Sequence, residues 1–183
     1  MTKKITIIIT IIILILLTFS LVSTAMTRVL FPRNYDDIVR RYAEKYNVDE
    51  NLIFAIIRAE SRFRSEAVSH KGAKGLMQLM EATAIELMER LEIEFEGNIE
   101  EVLFTPEINI HLGVKYIANL IEKYQNIEVA LAAYNAGRGT VDGWIENGVI
   151  QADGSDIENI PFKETNMYVR RVMRDYRIYR DFL

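Results

Sequence analysis

The chain has no cysteine among its 183 residues. That removes disulfides and thiolate metal sites, and it excludes lipid attachment at an export signal, which requires a cysteine. Runs of alternating apolar and polar residues bounded by hairpin turns are missing too, as is any internal repeat, so the expected fold class is all-α. An excess of positive charge is also lacking. Apart from Lys3 and Lys4 there are 20 basic residues against 26 acidic ones, which makes nucleic acid a poor partner. The late cluster Arg170, Arg171, Arg174, Arg177 and Arg180 has helical spacing with tyrosines and acids interleaved, and reads as a solvated helix face rather than a polyanion patch.

What is present begins with one long apolar run. Residues 5–25 carry no charge and are dominated by Ile, Leu, Val and Thr, enough to cross a bilayer as a helix of about 20 residues. Lys3 and Lys4 before it favour an inside N-terminus and export of the chain beyond the run. Ser23, Thr24 and Ala25 would suit signal cleavage, but the run exceeds the roughly 7–15 residues usual for a signal peptide, which favours a retained anchor. The expected organisation is an anchor at 1–27, a linker at 28–33 containing Pro32, and a catalytic domain at 34–183.

Helical periodicity is expected over residues 36–46, from Asp49 as a cap through 50–60, over 76–91, from Thr105-Pro106 to 124, over 127–136 up to the stop at Gly137, in a short piece at 141–146, and over 163–180. Residues 92–104 are acidic and irregular, and residues 147–160 are rich in Gly, Asp and Asn. Both read as surface loops near a cleft.

The chemistry centres on ESRFRSEAVSHKGAKGLMQ, residues 60–78. In the preceding helix Leu52 and Ile56 stack above Glu60 at a spacing of four, so the carboxyl ends an apolar stripe. Burial and the negative helix end both disfavour its ionised form, and a glutamic acid that stays protonated near neutrality can donate to a leaving oxygen. By contrast Glu164, near the positive end of the last helix, favours the carboxylate.

Four blocks in order, ESRF at 60–63, GLMQLM at 75–80, ALAAYNAGRGTVDGW at 130–144 and PFKETNMYV at 161–169, resemble the lytic transglycosylases of the soluble-lytic-transglycosylase (SLT) type, glycoside hydrolase family 23. The resemblance implies a goose-lysozyme-like, all-α domain that cleaves the bond between N-acetylmuramic acid and N-acetylglucosamine in peptidoglycan, leaving 1,6-anhydromuramoyl ends. It implies Glu60 as the single catalytic acid and base. Ser69, Met77, Gln78, Tyr134, Asn135, Glu164 and Tyr168 are its expected substrate-binding residues. Taken by themselves, Ser69 could be a turn former, Met77 and Gln78 packing groups, and Asn135 a helix terminus. Trp144 is read as a core anchor, and nothing marks Asp142 as a second catalytic group.

The sequence departs from the family pattern at His70 and Glu81, where proline is often found. No metal or organic cofactor is expected. The expected partners are peptidoglycan strands and the cytoplasmic membrane, with the domain on the cell-wall side, or secreted if the N-terminal segment is cleaved. Two other readings stay open at this level, a goose-type muramidase hydrolysing the same bond with water and a non-catalytic glycan-binding assembly subunit.

Overall fold

The computed structural model describes residues 2–183, apart from the side chains at positions 2–5, 8, 20 and 24. The side chains of Lys3, Lys4 and Thr24, on which orientation and cleavage bear, thus lie outside the described residues. Nine α-helices are described: α1 (Thr2–Leu30), α2 (Asp36–Lys45), α3 (Glu50–Glu60), α4 (Glu81–Arg90), α5 (Ile99–Phe104), α6 (Pro106–Tyr124), α7 (Ile127–Ala136), α8 (Arg138–Glu146) and α9 (Lys163–Phe182). A 3₁₀ turn lies at Ile157–Asn159. Among the described residues there is no strand, only two isolated bridges, Val68 with Lys74 and Lys74 with Leu79.

The core is built around α3. Leu52 through Ile57 are all buried, so this helix is apolar on every side for six residues, as a central helix must be. Each such Ile or Leu contributes roughly 1.5–3 kcal/mol of transfer free energy. Val129 to Ala133 of α7, Val114 and Ile117 of α6, and Tyr168, Val169, Val172 and Tyr179 of α9 complete the same core. A smaller core of Leu79, Ala84, Leu87, Met88, Leu103 and Leu112 joins α4 and α5 to the other side of α6. Trp144 is buried and meets Phe162 edge-on, with ring centres 5.1 Å apart.

Several expected boundaries move. The helix expected at 76–91 starts at Glu81, because Gly75 (φ 79°) and Gln78 (φ 48°) hold left-handed backbone and Lys74 pairs with Leu79 across the turn. The stretch expected to be an irregular loop at 92–104 contains α5, capped by the Asn98 side chain accepting from the Glu100 N–H at 2.9 Å. The short helix expected at 141–146 begins earlier, at Arg138. The apolar N-terminal helix runs on to Leu30, and residues 31–33 lie against the domain, with Phe31 packed on the core and Arg33 over the Phe54 ring at 4.3 Å.

Candidate active site

Glu60 is the last residue of α3, where the apolar stripe of that helix comes to the surface. Its carboxyl is raised from 4.5 to about 7, chiefly because it is buried and also because the charge of Glu164 is near. Tyr168 and Arg171 pull it down, though by less. Neither neighbouring arginine neutralises it. Arg58 bonds the Asp175 carboxylate instead, and Arg62 makes no ion pair among the described residues.

Two tyrosines flank this carboxyl. Tyr168, on α9, has a buried hydroxyl with no partner in strict hydrogen-bond geometry, yet it lies close enough to Glu60 for each to perturb the other. Tyr134, near the end of α7, donates to the Met77 carbonyl at 2.7 Å and also feels the Glu60 charge. Burial, foremost, pushes both phenols well above their ordinary value, so both remain neutral donors.

The loop after Glu60 is held by its own polar groups. Ser69 Oγ accepts from the Ala73 N–H at 3.0 Å, closing a turn, while the Ser69 N–H reaches the Ala73 carbonyl at 2.9 Å. The Gln78 amide nitrogen donates to the carbonyls of Ala67 (3.0 Å) and Gly75 (2.9 Å), which leaves its oxygen outside those bonds. Met77 lies elsewhere than expected. It is fully buried, with its thioether filling the space over Gly113, so its side chain has no surface to offer a sugar.

Asn135 accepts from the Thr165 hydroxyl at 2.7 Å, which ties α7 to α9. Glu164, in the first turn of α9, is exposed and pairs with Lys71 at 3.2 Å, which joins the loop to α9, and its charge reaches Glu60. Asp142 belongs to a separate cluster, held by Lys123 at 2.5 Å and Tyr124 at 2.9 Å and kept below the usual carboxylate range first by that lysine.

Two residues that matter to this geometry escape a linear reading. Asn109 is fully buried in α6, accepts from the Met77 N–H at 2.8 Å, and donates to the carbonyls of Lys74 (3.1 Å) and Leu103 (2.8 Å). Its signal is a lone amide beginning the buried stripe of Gly113, Ile117 and Leu120. Arg171 stands one helical turn after Tyr168 and acts on Glu60 through its charge, a residue that the basic pattern of α9 places on the solvated face.

Residues 37–155 match the transglycosylase SLT domain. The chain belongs to this family. The matched segment holds Glu60, its loop, Tyr134 and Asn135, and stops before α9. The soluble lytic murein transglycosylase of Salmonella typhimurium is 35% identical over 156 residues, which is 84% of this chain and 24% of that protein. The membrane-bound lytic murein transglycosylase C of Edwardsiella ictaluri is 34% identical over 166 residues, covering 80% of this chain and 46% of that one. In three dimensions, an inactive glutamate-to-glutamine variant of the lytic transglycosylase Slt from Pseudomonas aeruginosa superposes with a TM-score of 0.75 at 38% identity, over 82% of this chain and 24% of that one. The chain thus spans about a quarter of the length of its soluble relatives.

Proposed function

We propose that this SLT-family chain is a membrane-anchored peptidoglycan lytic transglycosylase, acting on the cell-wall side of the cytoplasmic membrane in cell-wall remodelling. The observation that carries the reading is the Glu60 carboxyl, raised to about 7 by burial and flanked by two neutral phenols. Half-protonated near neutrality, one such group can give a proton and take one back within a single turnover. The relatives named as murein transglycosylases support the substrate, and the inactive glutamate-to-glutamine relative supports dependence on a glutamic acid.

In this reading protonated Glu60 donates to the oxygen bridging N-acetylmuramic acid and N-acetylglucosamine, and the C1–O bond breaks while the muramoyl acetamido oxygen supports C1. The C6 hydroxyl of the same sugar then attacks C1. Glu60, now a carboxylate, takes the hydroxyl proton, the acetamido oxygen is released, and a 1,6-anhydro ring closes with no water consumed. Tyr168 and Tyr134 stand beside the carboxyl as neutral phenols, Tyr134 with its hydroxyl on the Met77 carbonyl. Ser69, the Gln78 oxygen, the Asn135 amide nitrogen and Glu164 position the glycan, while Met77 supports the loop from beneath. Asp142 is held away in its own ion pair, and Glu164, the carboxylate whose charge reaches Glu60, is exposed and paired with Lys71, so in this reading neither serves as the second carboxylate that most glycosidases use.

Glu60→Gln keeps the shape and cannot donate, so turnover of purified glycan should fall on the order of 10²-fold or more with folding intact. Digestion in ¹⁸O-labelled water should leave the new muramoyl ends unlabelled by mass spectrometry. Label at C1 would replace this mechanism with hydrolysis.

A further inference from the structure

The junction between α1 and the domain is a fitted joint. Arg58 Nε donates to the Leu30 carbonyl at 3.0 Å, and the same guanidinium lies 4.0 Å above the Phe31 ring while bonding the fully buried Asp175 carboxylate. Phe31 meets Tyr179 edge-on at 5.6 Å, and the Tyr179 hydroxyl donates to the Pro32 carbonyl at 2.8 Å. Arg33 then pairs with Asp36 at 3.2 Å and Glu50 at 2.5 Å. No free length of chain separates the apolar helix from the domain.

Beside this joint opens a recess of about 420 Å³. Its charged lining is Arg58, Arg62, Arg171 and Arg174, and Leu30 and Phe63 give it an apolar side. Four guanidiniums there face two carboxyl groups, that of Asp175, which Arg58 and Arg174 share, and that of Glu60, on which Arg171 acts through its charge. Arg62 and Arg171 make no ion pair among the described residues. Such a concentration of positive charge stands out on a chain whose net charge is −4.

Its position says what it meets. The candidate span Ile9–Leu30 has 22 residues, carries Arg28 near its end, and has none of its most apolar part buried in the domain. At about 1.5 Å per residue it spans roughly 33 Å, so Leu30 reaches the headgroup level of a bilayer whose apolar core is about 30 Å thick. With α1 in a bilayer the recess lies where the helix leaves the leaflet, and its apolar residues and guanidiniums match the glycerol and phosphate of a lipid headgroup. Arginine forks suit a phosphodiester, which accepts two parallel N–H bonds.

We propose that this recess binds the phosphate headgroup of an anionic phospholipid from the leaflet that α1 leaves, clamping the domain against the membrane surface. The proposal rests on α1 being a membrane helix. An acidic domain would otherwise be repelled by an anionic surface, and the clamp would confine Glu60, two residues beyond Arg58, to glycan next to the membrane.

The test uses the full chain in detergent micelles, with bound phosphatidylglycerol and phosphatidylcholine compared by native mass spectrometry. The wild type should retain phosphatidylglycerol preferentially. Arg62→Gln and Arg171→Gln should each weaken that preference about fivefold, whereas Arg177→Gln, on the same helix as Arg171 but outside the recess, should leave it intact. Equal retention of both lipids, or equal loss in Arg177→Gln, would overturn the site in favour of diffuse charge. Displacement of the lipid by inorganic phosphate at matched concentration would overturn the lipid commitment in favour of a free-anion site. Alkaline carbonate extraction of membranes reports on the helix separately: release of the wild-type chain would sink the anchor and the clamp together, while a retained chain without lipid preference sinks the clamp alone. Thermal unfolding of each variant checks that the domain is intact.

Discussion

At the scale of single residues, the proposed chemistry depends on one carboxyl and the phenol facing it. Glu60 titrates near 4.5 when unfolded and near 7 when folded, so between those values the folded chain holds the extra proton. Stability from this group is fully present below about 4.5 and is lost as pH rises through about 7, a change on the order of 3 kcal/mol. Thermal midpoints of the wild type should therefore fall across that window relative to Glu60→Gln, whose amide does not titrate, and parallel curves for the two proteins would refute the raised carboxyl. Activity should fall on the alkaline side through the same value, because only the protonated acid can begin the reaction. Tyr168 pulls the Glu60 carboxyl down, so Tyr168→Phe should move that alkaline limb to higher pH. Since the lost hydroxyl is buried without a geometric partner, its removal should leave stability unchanged or raise it by up to about 1 kcal/mol. An unmoved limb would mean that the phenol does not act on the acid. The place of Glu60 at the end of an apolar stripe was legible, whereas the choice of Arg58 to face Asp175 was not, since Asp175 lies on another helix.

Among the elements, the loop between α3 and α4 is where sequence periodicity misleads. Leu76, Leu79 and Met80 continue the apolar spacing of a helix, yet Leu76, Met77 and Leu79 are buried as loop residues wedged between the two cores. What holds them is Asn109, whose amide fills the space above Gly75. A methyl group on Gly75 would fall 2.1 Å from the Asn109 amide nitrogen and 2.3 Å from the Leu103 carbonyl oxygen, on backbone at φ 79°. Gly75→Ala should therefore destabilise by on the order of 3 kcal/mol or more and displace the Gln78 amide from the site. Gly72→Ala, at φ 84° with open space around it, should cost only the backbone strain, about 1–2 kcal/mol. Urea midpoints distinguish the two, and equal costs would show that the close approach to Asn109 can relax. The helix α5 was hidden for a different reason. Its six residues are too few for a clear period, and the acids at 92, 94, 96, 100 and 101 give the region the composition of a loop until the burial of Leu103 is seen.

For the whole molecule, the prediction concerns α1. A helix of this length and apolarity, joined without slack to the domain, should hold full-length protein in the membrane fraction with its N-terminus intact by mass spectrometry. A mature species beginning at Met26 in the medium would show a cleaved signal instead, and it would also cut the chain a few residues before Leu30, whose carbonyl Arg58 holds. The sequence by itself determined the all-α class, the placement of α2, α3, α6, α7 and α9, the membrane-spanning apolarity of α1, and the one carboxyl at the end of the central stripe. These are matters of periodicity, capping and composition, which act over a few residues and are written in order along the chain. Only the tertiary structure decided which arginine meets Asp175, that Met77 points into the core, that Asn109 braces the loop, and that Arg171 and Arg174 of α9 reach the end of α1. Each of those joins residues far apart in the chain, and their encounter depends on how the helices pack, which no local pattern specifies.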